Sequence, residues 1–327
     1  MMKCFGCYKE NIEGYCNTCR KKLFDGKKVS QFLLFDTPKA DNLPSYQEKT
    51  KRLSISGVQL KYSLRLEGKE LVLTEKGGQY ILKPIPPTTL IALQDQAPEN
   101  EHLTMQIASQ LFKIPVAANA LIYFKDNAPA YITRRFDVKS DGTKRLQEDF
   151  AQISGKTKNS DGDNYKYNGT YENIGMLIKE KVAAPLPILE EFFKVVVFNY
   201  IISNGDAHLK NFSLVQSDFG DYVLSKAYDL MCTALHTPNE RDTALDLYEG
   251  DIDSAFYQTY GYYGRPNFEA LAGRTGLLPK RAQHIIDTIT GRKNELELMV
   301  NNSFLSEEAK GKYLQAYKDK VKRFEGA

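Results

Sequence analysis

Residues 188–211, ILEEFFKVVVFNYIISNGDAHLKN, place a polar cluster directly after a long apolar run. The apolar part, from Pro187 to Ile202, predicts a helix buried in the core of a helical lobe. The nine residues that follow, 203–211, include Asp, His, Lys and Asn side chains. Burying polar groups beside a core costs free energy unless they form hydrogen bonds or ion pairs, or serve a function. This segment is therefore the first candidate for a functional site.

The spacing within the cluster indicates phosphoryl transfer. Asp206 and Asn211 are separated as in the D-x4-N pair of protein-kinase catalytic loops, where the Asp accepts the proton of the substrate hydroxyl and the Asn binds Mg²⁺. Because Mg²⁺ prefers oxygen ligands, a second carboxylate is expected downstream. Asp229 fits this role, since it follows a short strand-like run at 222–224.

The chain ahead of this cluster predicts a small lobe built on an antiparallel sheet. Runs of strand-forming residues between Gly- and Asn-containing turns indicate strands at 61–66, 70–73, 79–84, 120–124 and 130–136. The first three are predicted to form a meander. Leu103, Ile107 and Leu111 recur every four residues, which predicts a helix that begins after Pro98.

Two charged residues of this lobe match the needs of a kinase. Lys83 ends the third predicted strand, where it could neutralise phosphate charge, and Glu101 lies on the following helix, where it could position the lysine. The usual GxGxxG loop is absent. The segment 54–61, SISGVQLK, is in the right place to hold phosphates through its backbone N–H groups, its hydroxyls and Lys61.

The remainder of the chain is predicted to be mainly helical. Residues 155–169 are predicted as a flexible polar loop, because their two Asp residues do not match a calcium loop. A last helix is predicted to begin near Ser306 and to pack through Tyr313, Tyr317, Val321 and Phe324. The predicted fold class is thus α+β: a bilobal kinase-like fold with a small antiparallel-sheet lobe, a mainly helical C-terminal lobe and an N-terminal zinc knuckle.

Four of the five cysteines lie within the first 19 residues, as C-x2-C-x8-C-x2-C: Cys4, Cys7, Cys16 and Cys19. Two such pairs on a short hairpin can complete a tetrahedral Zn²⁺ site, whose closed geometry is structural rather than catalytic. Disulfides are the alternative, and a reducing cytosol disfavours them. The fifth, Cys232, is predicted to be a small buried residue.

Composition excludes several classes of protein. The chain has 327 residues and a net charge of +3, with 26% charged and 11% aromatic residues. These values are typical of a globular protein and give little reason to expect nucleic acid as the main partner. No apolar stretch reaches the roughly 18–20 residues that cross a bilayer, and residues 1–10 lack the apolar core of a secretory signal. A cytoplasmic location is therefore expected.

The motifs together resemble the HipA family of bacterial serine/threonine kinase toxins, most closely the short HipT-type members. The resemblance covers roughly residues 50–327. The pieces that carry it, in order, are SISGVQLK at 54–61, ILKP at 81–84, ENEH at 99–102, RRFD at 134–137, GDAHLKNF at 205–212 and AYDL at 227–230.

The resemblance implies a set of site residues. Asp206 is the implied catalytic base, Asn211 and Asp229 are the implied Mg²⁺ ligands, and Lys83 is the implied contact to the ATP phosphates. Ser54 and Ser56 are the implied autophosphorylation sites, and added charge there would repel ATP. The implied ATP-site residues are Ser56, Gly57, Val58, Gln59, Leu60, Lys61, Tyr62, Ser63, Lys83, Glu101, Arg134, Arg135, Phe136, His208, Lys210, Asn211, Tyr228 and Asp229.

The same resemblance implies partners. These are a protein substrate such as an aminoacyl-tRNA synthetase, a helix-turn-helix antitoxin through which DNA is contacted only indirectly, and a separate small subunit equivalent to the N-terminal subdomain of longer relatives. Two features depart from the family pattern. Arg134 stands where an acidic residue often precedes Arg-Phe-Asp, and the four-Cys module stands where longer relatives have their extra subdomain.

The sequence thus predicts four segments: a four-Cys zinc-binding module at 1–25, a connector at 26–53, an N-lobe at 54–175 and a helical C-lobe at 176–327. The predicted function is an ATP- and Mg²⁺-dependent serine/threonine kinase of the toxin type that acts on a translation-related protein and on its own phosphate loop. Two alternatives remain open. One is a catalytically silent kinase-like binding protein, and the other is a lipid kinase, since G-D-x-H-x-x-N also resembles the catalytic loop of phosphatidylinositol kinases.

Overall fold

Five strands form the main sheet of the computed structural model, which describes residues 2–37, 59–139 and 141–325. The strands are β1 (Tyr62–Glu67), β2 (Glu70–Leu73), β3 (Tyr80–Pro84), β4 (Asn119–Tyr123) and β5 (Pro129–Arg134). Their order is β2-β1-β3-β5-β4, with every neighbouring pair antiparallel. The five predicted strands are confirmed, with their ends moved by one or two residues.

The predicted meander is wrong, because β3 pairs with β1 and not with β2. Leu64 of β1 faces Leu73 on one side and Tyr80 on the other. The chain therefore passes across one end of β1 between β2 and β3. It does so at Gly78, where a Cβ atom would overlap the hydroxyl of Ser63. A larger residue at this position would require the Ser63 side chain to move.

A second sheet and the helices complete the fold. The second sheet consists of β6 (Gln147–Asp149), β7 (Ser213–Gln216) and β8 (Tyr222–Leu224), in that order. The helices are α1 (Asn17–Phe24), α2 (Ala97–Gln106), α3 (Phe150–Ile153), α4 (Lys158–Asp161), α5 (Tyr171–Lys181), α6 (Pro185–Ile201), α7 (Ala255–Tyr260), α8 (Arg265–Thr275), α9 (Pro279–Thr290), α10 (Lys293–Asn301) and α11 (Glu307–Glu325). No helix in these described ranges is long and apolar enough to cross a membrane.

The predicted helices are confirmed. Helix α2 is followed by a π-type turn at Ile107–Leu111, and the predicted apolar positions of this region are buried. Helix α6 is buried along most of its last ten residues, as the apolar run predicts. Ser306 precedes α11, and its hydroxyl accepts a hydrogen bond from the backbone N–H of Ala309 at 3.3 Å. The four predicted packing residues of α11 are all buried.

Segment 155–169, predicted as a flexible loop, contains regular turns. Thr157 caps α4, since its hydroxyl accepts from the N–H of Ser160, and a 3-10 turn covers Tyr165–Tyr167. Polar residues of this segment satisfy the ends of its own short helix. This local capping, together with the contacts to the helical lobe described below, explains why the segment forms regular turns although its polar composition predicts a flexible loop.

The N-terminal residues pack on the main sheet. Tyr15, Leu23 and Phe24 share one apolar cluster with buried residues of the sheet. Residues 31–35 run beside β4, where Leu33 donates its N–H to the carbonyl of Tyr123 at 2.8 Å. Cys16 is the N-cap of α1, so the second cysteine pair lies at a helix start and the predicted hairpin for this pair is wrong.

Candidate functional site

A cavity of about 500 Å³ lies between the two sheets and is lined by residues of both lobes. Lys61 and Lys83 reach it from the main sheet, and His208, Asn211 and Asp229 reach it from the helical lobe. A smaller neighbouring cavity is lined by Asp206 together with Gln59, Lys83, Glu101, Asn211 and Asp229. The structure thus brings residues from separate sequence motifs to one place.

Lys83 lies at the centre of a charged cluster. Its ammonium group is 2.5 Å from a carboxylate oxygen of Glu101, and both side chains are almost completely buried. The same nitrogen contacts Asp229. Although burial alone would lower the pKa of Lys83, the two carboxylates raise it to about 12. Strand β3 and helix α2 supply this pair because the end of the strand faces the helix.

Asp229 has an unusual backbone conformation, with φ of 55°. A left-handed conformation in a residue other than glycine costs free energy and is most frequent at functional sites. Burial alone would raise the pKa of the Asp229 carboxyl, but Lys61 at 3.3 Å and Lys83 outweigh it and hold that pKa below its usual range. Asp229 is therefore an anion aimed at the cavity.

The segment 203–206 is fixed by its neighbours, so that Asp206 has a defined position. A Cβ on Gly205 would overlap the Arg241 carbonyl and the Glu240 carboxylate, so this position requires glycine. The N–H of Gly205 donates to the hydroxyl of Thr233 at 2.7 Å. The N–H of Asp206 donates to the side chain of Asn204 at 3.2 Å.

Tyr167 is a site residue that the sequence analysis missed. Its hydroxyl donates a hydrogen bond of 2.6 Å to Oδ1 of Asp206, and its ring lies edge-on against the ring of His208. Tyr165 and Lys166, in the same segment, line the large cavity. The two tyrosines of this strongly polar segment, both partly buried, were the available signal, since aromatic residues are uncommon in a fully solvated loop.

His208 and Asn211 complete this part of the cavity. Oδ1 of Asn211 accepts from the N–H of His208 at 3.0 Å, and this oxygen has a second lone pair available to a metal. His208 is buried, and neither of its ring nitrogens has a hydrogen-bond partner among the described residues. Burial, together with the charge of Lys166, lowers the pKa of His208 well below its usual value, so the ring is neutral.

Lys210 and Tyr228 also line the cavity. The ammonium group of Lys210 lies 3.4 Å from Asp149, and the hydroxyl of Tyr228 donates to the Lys210 carbonyl at 2.8 Å. Tyr228 packs beside Phe136, with ring centroids 5.7 Å apart. The rings of Phe136 and Tyr228 give the cavity an apolar part of its wall.

Residues 134–136 line the same cavity. The guanidinium of Arg134 forms two hydrogen bonds to Asp25, of 2.5 and 2.9 Å, so that it faces the N-terminal region. Arg135 pairs with Asp137 at 2.5 Å. Because both guanidinium groups are engaged, the backbone and Phe136 remain to contact a planar ligand here.

The proposed phosphate loop is only partly described. Gln59 donates to Glu101 at 3.5 Å and Lys61 contacts Asp229, so both lie at the cluster. Leu60, Tyr62 and Ser63 do not line either cavity. The other predicted residues of this loop lie outside the described residues: Ser54, Ser56, Gly57 and Val58.

The four N-terminal cysteines lie together, with their sulfur atoms all within 4.8 Å of one another. Two of these atoms, Sγ of Cys7 and Cys16, are 3.7 Å apart. A tetrahedral site with Zn–S bonds of about 2.3 Å has S···S separations of about 3.8 Å. The sulfur of Cys4 also accepts from the N–H groups of Gly6 and Cys16. This donor set fits a closed Zn²⁺ site.

Comparison with known proteins connects this arrangement to a family. A family model described as a HipA-like C-terminal domain matches residues 53–295. A Haemophilus influenzae protein, provisionally named a kinase, is 27% identical over 335 residues, which cover 95% of this chain and 93% of that protein. A Sinorhizobium fredii protein, provisionally named kinase Y4dM, is 31% identical over 212 residues, 60% of this chain. The chain spans about half of that relative, 49% of its length.

Two solved structures share the fold. A chain of the Shewanella oneidensis MR-1 toxin–antitoxin complex of HipA, HipB and operator DNA gives a TM-score of 0.63 at 21% identity, over 85% of this chain and 66% of that one. The Helicobacter pylori proinflammatory kinase CtkA gives a TM-score of 0.52 at 15% identity, over 80% of this chain and 93% of that one. The predicted α+β, bilobal kinase-like fold is confirmed.

Proposed function

Because this chain belongs to the family of proteins with a HipA-like C-terminal domain, we propose that it is an ATP- and Mg²⁺-dependent serine/threonine protein kinase of the HipA toxin type. The observation that carries the proposal is the cluster in which Lys83 contacts both Glu101 and Asp229 beside Asp206. A lysine on a sheet, an acid on a helix and a downstream metal-binding aspartate are the parts that kinases use.

Each part of the cluster has a proposed role. Asp206 accepts the proton of the acceptor hydroxyl, and Asn211 and Asp229 supply oxygen ligands for Mg²⁺. Lys83, positioned by Glu101, binds phosphate oxygens, and Lys61 adds a second positive charge from the other side of Asp229. When bound, Mg·ATP supplies the phosphoryl group and the metal that neutralises its charge.

The nucleotide base and sugar are proposed to occupy the large cavity. Its volume of about 500 Å³ lies within the range of small-molecule sites. Phe136 and Tyr228 provide an apolar wall for a planar ring. Neither ring nitrogen of buried His208 has a partner among the residues that the structure describes, and this also favours a ligand, because buried polar groups normally have partners. Lys210 and residues 134–136 complete the proposed contacts.

The N-terminal cysteines are proposed to bind one structural Zn²⁺. Four sulfur ligands leave no open coordination position, so the ion would stabilise the fold and take no part in phosphoryl transfer. The chain is proposed to divide into a four-Cys zinc-binding module at 1–25, a connector at 26–53, an N-lobe at 54–175 and a C-lobe at 176–327. The module is not isolated, since it packs on the main sheet.

Substrate and partners are proposed from the family alone. A translation-related protein such as an aminoacyl-tRNA synthetase is the proposed substrate, and Ser54 and Ser56 are the proposed autophosphorylation sites. The fold shared with a chain of the HipA, HipB and operator DNA complex supports a helix-turn-helix antitoxin as partner. A separate small subunit in place of the longer relatives' N-terminal subdomain belongs to the same proposal.

The proposal is tested by incubating the full chain with labelled ATP and Mg²⁺, followed by mass spectrometry. We expect phosphate on Ser54 or Ser56 of the wild type and none on Asp229→Ala. Asp218→Ala is the matched control, because Asp218 is an exposed carboxylate paired with Arg145 at 2.7 Å on the neighbouring hairpin. A chain that neither labels itself nor binds ATP by calorimetry would contradict the proposal and favour a binding protein.

A further inference from the structure

The four-Cys module touches the helix that carries Glu101. Tyr8, directly after Cys7, donates its N–H to the carbonyl of Cys4 at 3.0 Å and has a φ of 65°, so its backbone is part of the cysteine knuckle. Its side chain is buried, and its hydroxyl lies 2.9 Å from Nδ1 of His102 on α2. The two rings also pack together, with centroids 4.9 Å apart.

His102 is the neighbour of Glu101 in sequence, and the two side chains point in different directions. Successive residues of an α-helix are rotated by about 100° around its axis. Glu101 faces the cavity and pairs with Lys83, while His102 faces the cysteine knuckle. Helix α2 is thus held from one side by the catalytic lysine and from the other by the module.

A second contact joins the module to the residues that follow α2. The side chain of Gln110 donates to the carbonyl of Cys7 at 3.2 Å. Tyr8 also packs on Phe304, with ring centroids 5.4 Å apart, which covers the outer side of the Tyr8–His102 pair. The knuckle therefore contacts this helical stretch at two points, His102 in the middle of α2 and Gln110 in the turn that follows it, through Tyr8 and the adjacent Cys7.

We propose that Tyr8 and His102 are positioning residues that couple Zn²⁺ binding by the cysteine module to the placement of Glu101, and through Glu101 to Lys83. The inference rests on the proposed function, because it assigns a consequence to the Zn²⁺ and nucleotide sites. Without the metal, the knuckle loses the bonds that fix the Tyr8 backbone. Helix α2 then loses its outer support, and the Lys83–Glu101 pair loses its fixed geometry.

The module offers a matched control for this coupling. Tyr15 is also buried, and its hydroxyl donates to the Leu121 carbonyl at 2.8 Å. Tyr8 and Tyr15 therefore each contribute one buried hydrogen bond from the same module, the first to helix α2 and the second to strand β4. A purely structural role for the module predicts that Tyr8→Phe, like Tyr15→Phe, lowers the unfolding temperature without weakening nucleotide binding.

The experiment compares the zinc-loaded full-length wild type, Tyr8→Phe and Tyr15→Phe. Zinc content and thermal unfolding temperature are measured for each, with hydrogen exchange of residues 97–106 and the affinity for a non-hydrolysable ATP analogue with Mg²⁺. For Tyr8→Phe at full zinc content we expect faster exchange in α2 and roughly tenfold weaker nucleotide binding, the equivalent of one buried hydrogen bond. For Tyr15→Phe we expect a similar drop in unfolding temperature with both properties near the wild type.

Stepwise removal of zinc by a chelator tests the metal directly. In the wild type and Tyr15→Phe, exchange in α2 should rise as zinc is lost, whereas in Tyr8→Phe it should already be fast. Equal behaviour of the two variants, or slow exchange in zinc-free wild type, would overturn the inference. If the wild type does not bind the ATP analogue, the proposed function fails, and the exchange measurements still decide the coupling.

Discussion

The hydroxyl of Tyr167 donates a hydrogen bond of 2.6 Å to Oδ1 of Asp206. The two residues come from segments 39 positions apart, and one of them lies in a polar stretch that the sequence analysis assigned to a loop. A hydrogen bond to a charged group is among the stronger kinds in proteins. Tyr167 therefore fixes one oxygen of the proposed catalytic base.

Tyr167→Phe should lower kcat with little change in the KM for ATP. The substitution leaves the ring against His208 and removes only the donor that orients the carboxylate, so we expect kcat to fall roughly tenfold. Steady-state kinetics of autophosphorylation or ATP turnover measures this. Tyr171→Phe is the control, because it removes a hydrogen bond of 2.8 Å to the backbone of Ala207 in the same loop. An unchanged kcat in Tyr167→Phe would exclude an orienting role.

Asp206→Asn should abolish phosphoryl transfer and preserve nucleotide binding. The amide cannot accept the proton of the acceptor hydroxyl, and loss of a positioned base costs about 10²- to 10⁴-fold in rate. Calorimetry with the ATP analogue should give an affinity within about threefold of the wild type, a difference in binding free energy of less than about 0.7 kcal/mol. Retained phosphorylation would remove Asp206 from the role of base.

Lys83→Met should destabilise the fold as well as weaken ATP binding. The change leaves the buried Glu101 carboxylate without its cation, which typically costs about 3–5 kcal/mol. Adding Glu101→Gln to Lys83→Met removes the unpaired charge, so the double variant should recover part of the free energy of unfolding but not the nucleotide affinity. Urea denaturation of the two single variants and the double variant measures this, and strictly additive effects would show that the pair is not coupled.

Zinc binding should depend on the four N-terminal cysteines. We expect one Zn²⁺ per chain by elemental analysis, and loss of that ion in Cys16→Ser, because the remaining three sulfurs no longer close the tetrahedron. Cys232→Ser is the control, since Cys232 is equally buried but lies in the helical lobe. Full zinc content in Cys16→Ser would contradict the assigned ligand set.

Glu240 should contribute a fall in stability as pH rises from about 4.5 to 7, whereas the lowered pKa values of buried His102, His208 and His236 contribute a rise over much of this range. Burial raises the pKa of Glu240 to about 7, so the folded chain keeps a proton that the unfolded chain has lost over this range. The free energy of unfolding then decreases by at most about 1.4 kcal/mol per pH unit for this group. Glu99 has the same direction of shift, also to about 7. Glu240→Gln should remove the contribution of this group, so that the free energy of unfolding measured in urea at pH 5, 6 and 7 falls less, or rises more, with pH than in the wild type, and exposed Glu249→Gln should leave the wild-type dependence unchanged.

The residues of the charged cluster were accessible to sequence analysis because each follows from a local pattern. Lys83 ends a strand, Glu101 lies on the next helix, and Asp206 and Asn211 have a fixed spacing. Elements adjacent in sequence tend to be adjacent in space, which brings the lysine and glutamate together. The buried helix α6 was equally predictable, because its apolar run is long and continuous.

Other features depend on tertiary contacts without a local signal. The pairing of β3 with β1 follows from a crossing at Gly78 that the strand pattern does not specify. Tyr167 reaches Asp206 only because segment 155–169 caps its own turns and lies against the helical lobe. The module contacts α2 through Tyr8. Nothing in the sequence around this aromatic residue indicates that His102 is its partner.

The charges of the cluster around Lys83 also determine how ATP and Mg²⁺ should bind. Two ammonium groups, of Lys61 and Lys83, and two carboxylates, of Glu101 and Asp229, neutralise one another. ATP alone would bring its negative charge towards both carboxylates, and Mg²⁺ alone would meet both ammonium groups. When ATP and Mg²⁺ bind together, the ion pairs within the cluster are replaced by ion pairs between the cluster and the two ligands. We therefore expect strongly cooperative binding, in which each ligand raises the affinity for the other by the same factor.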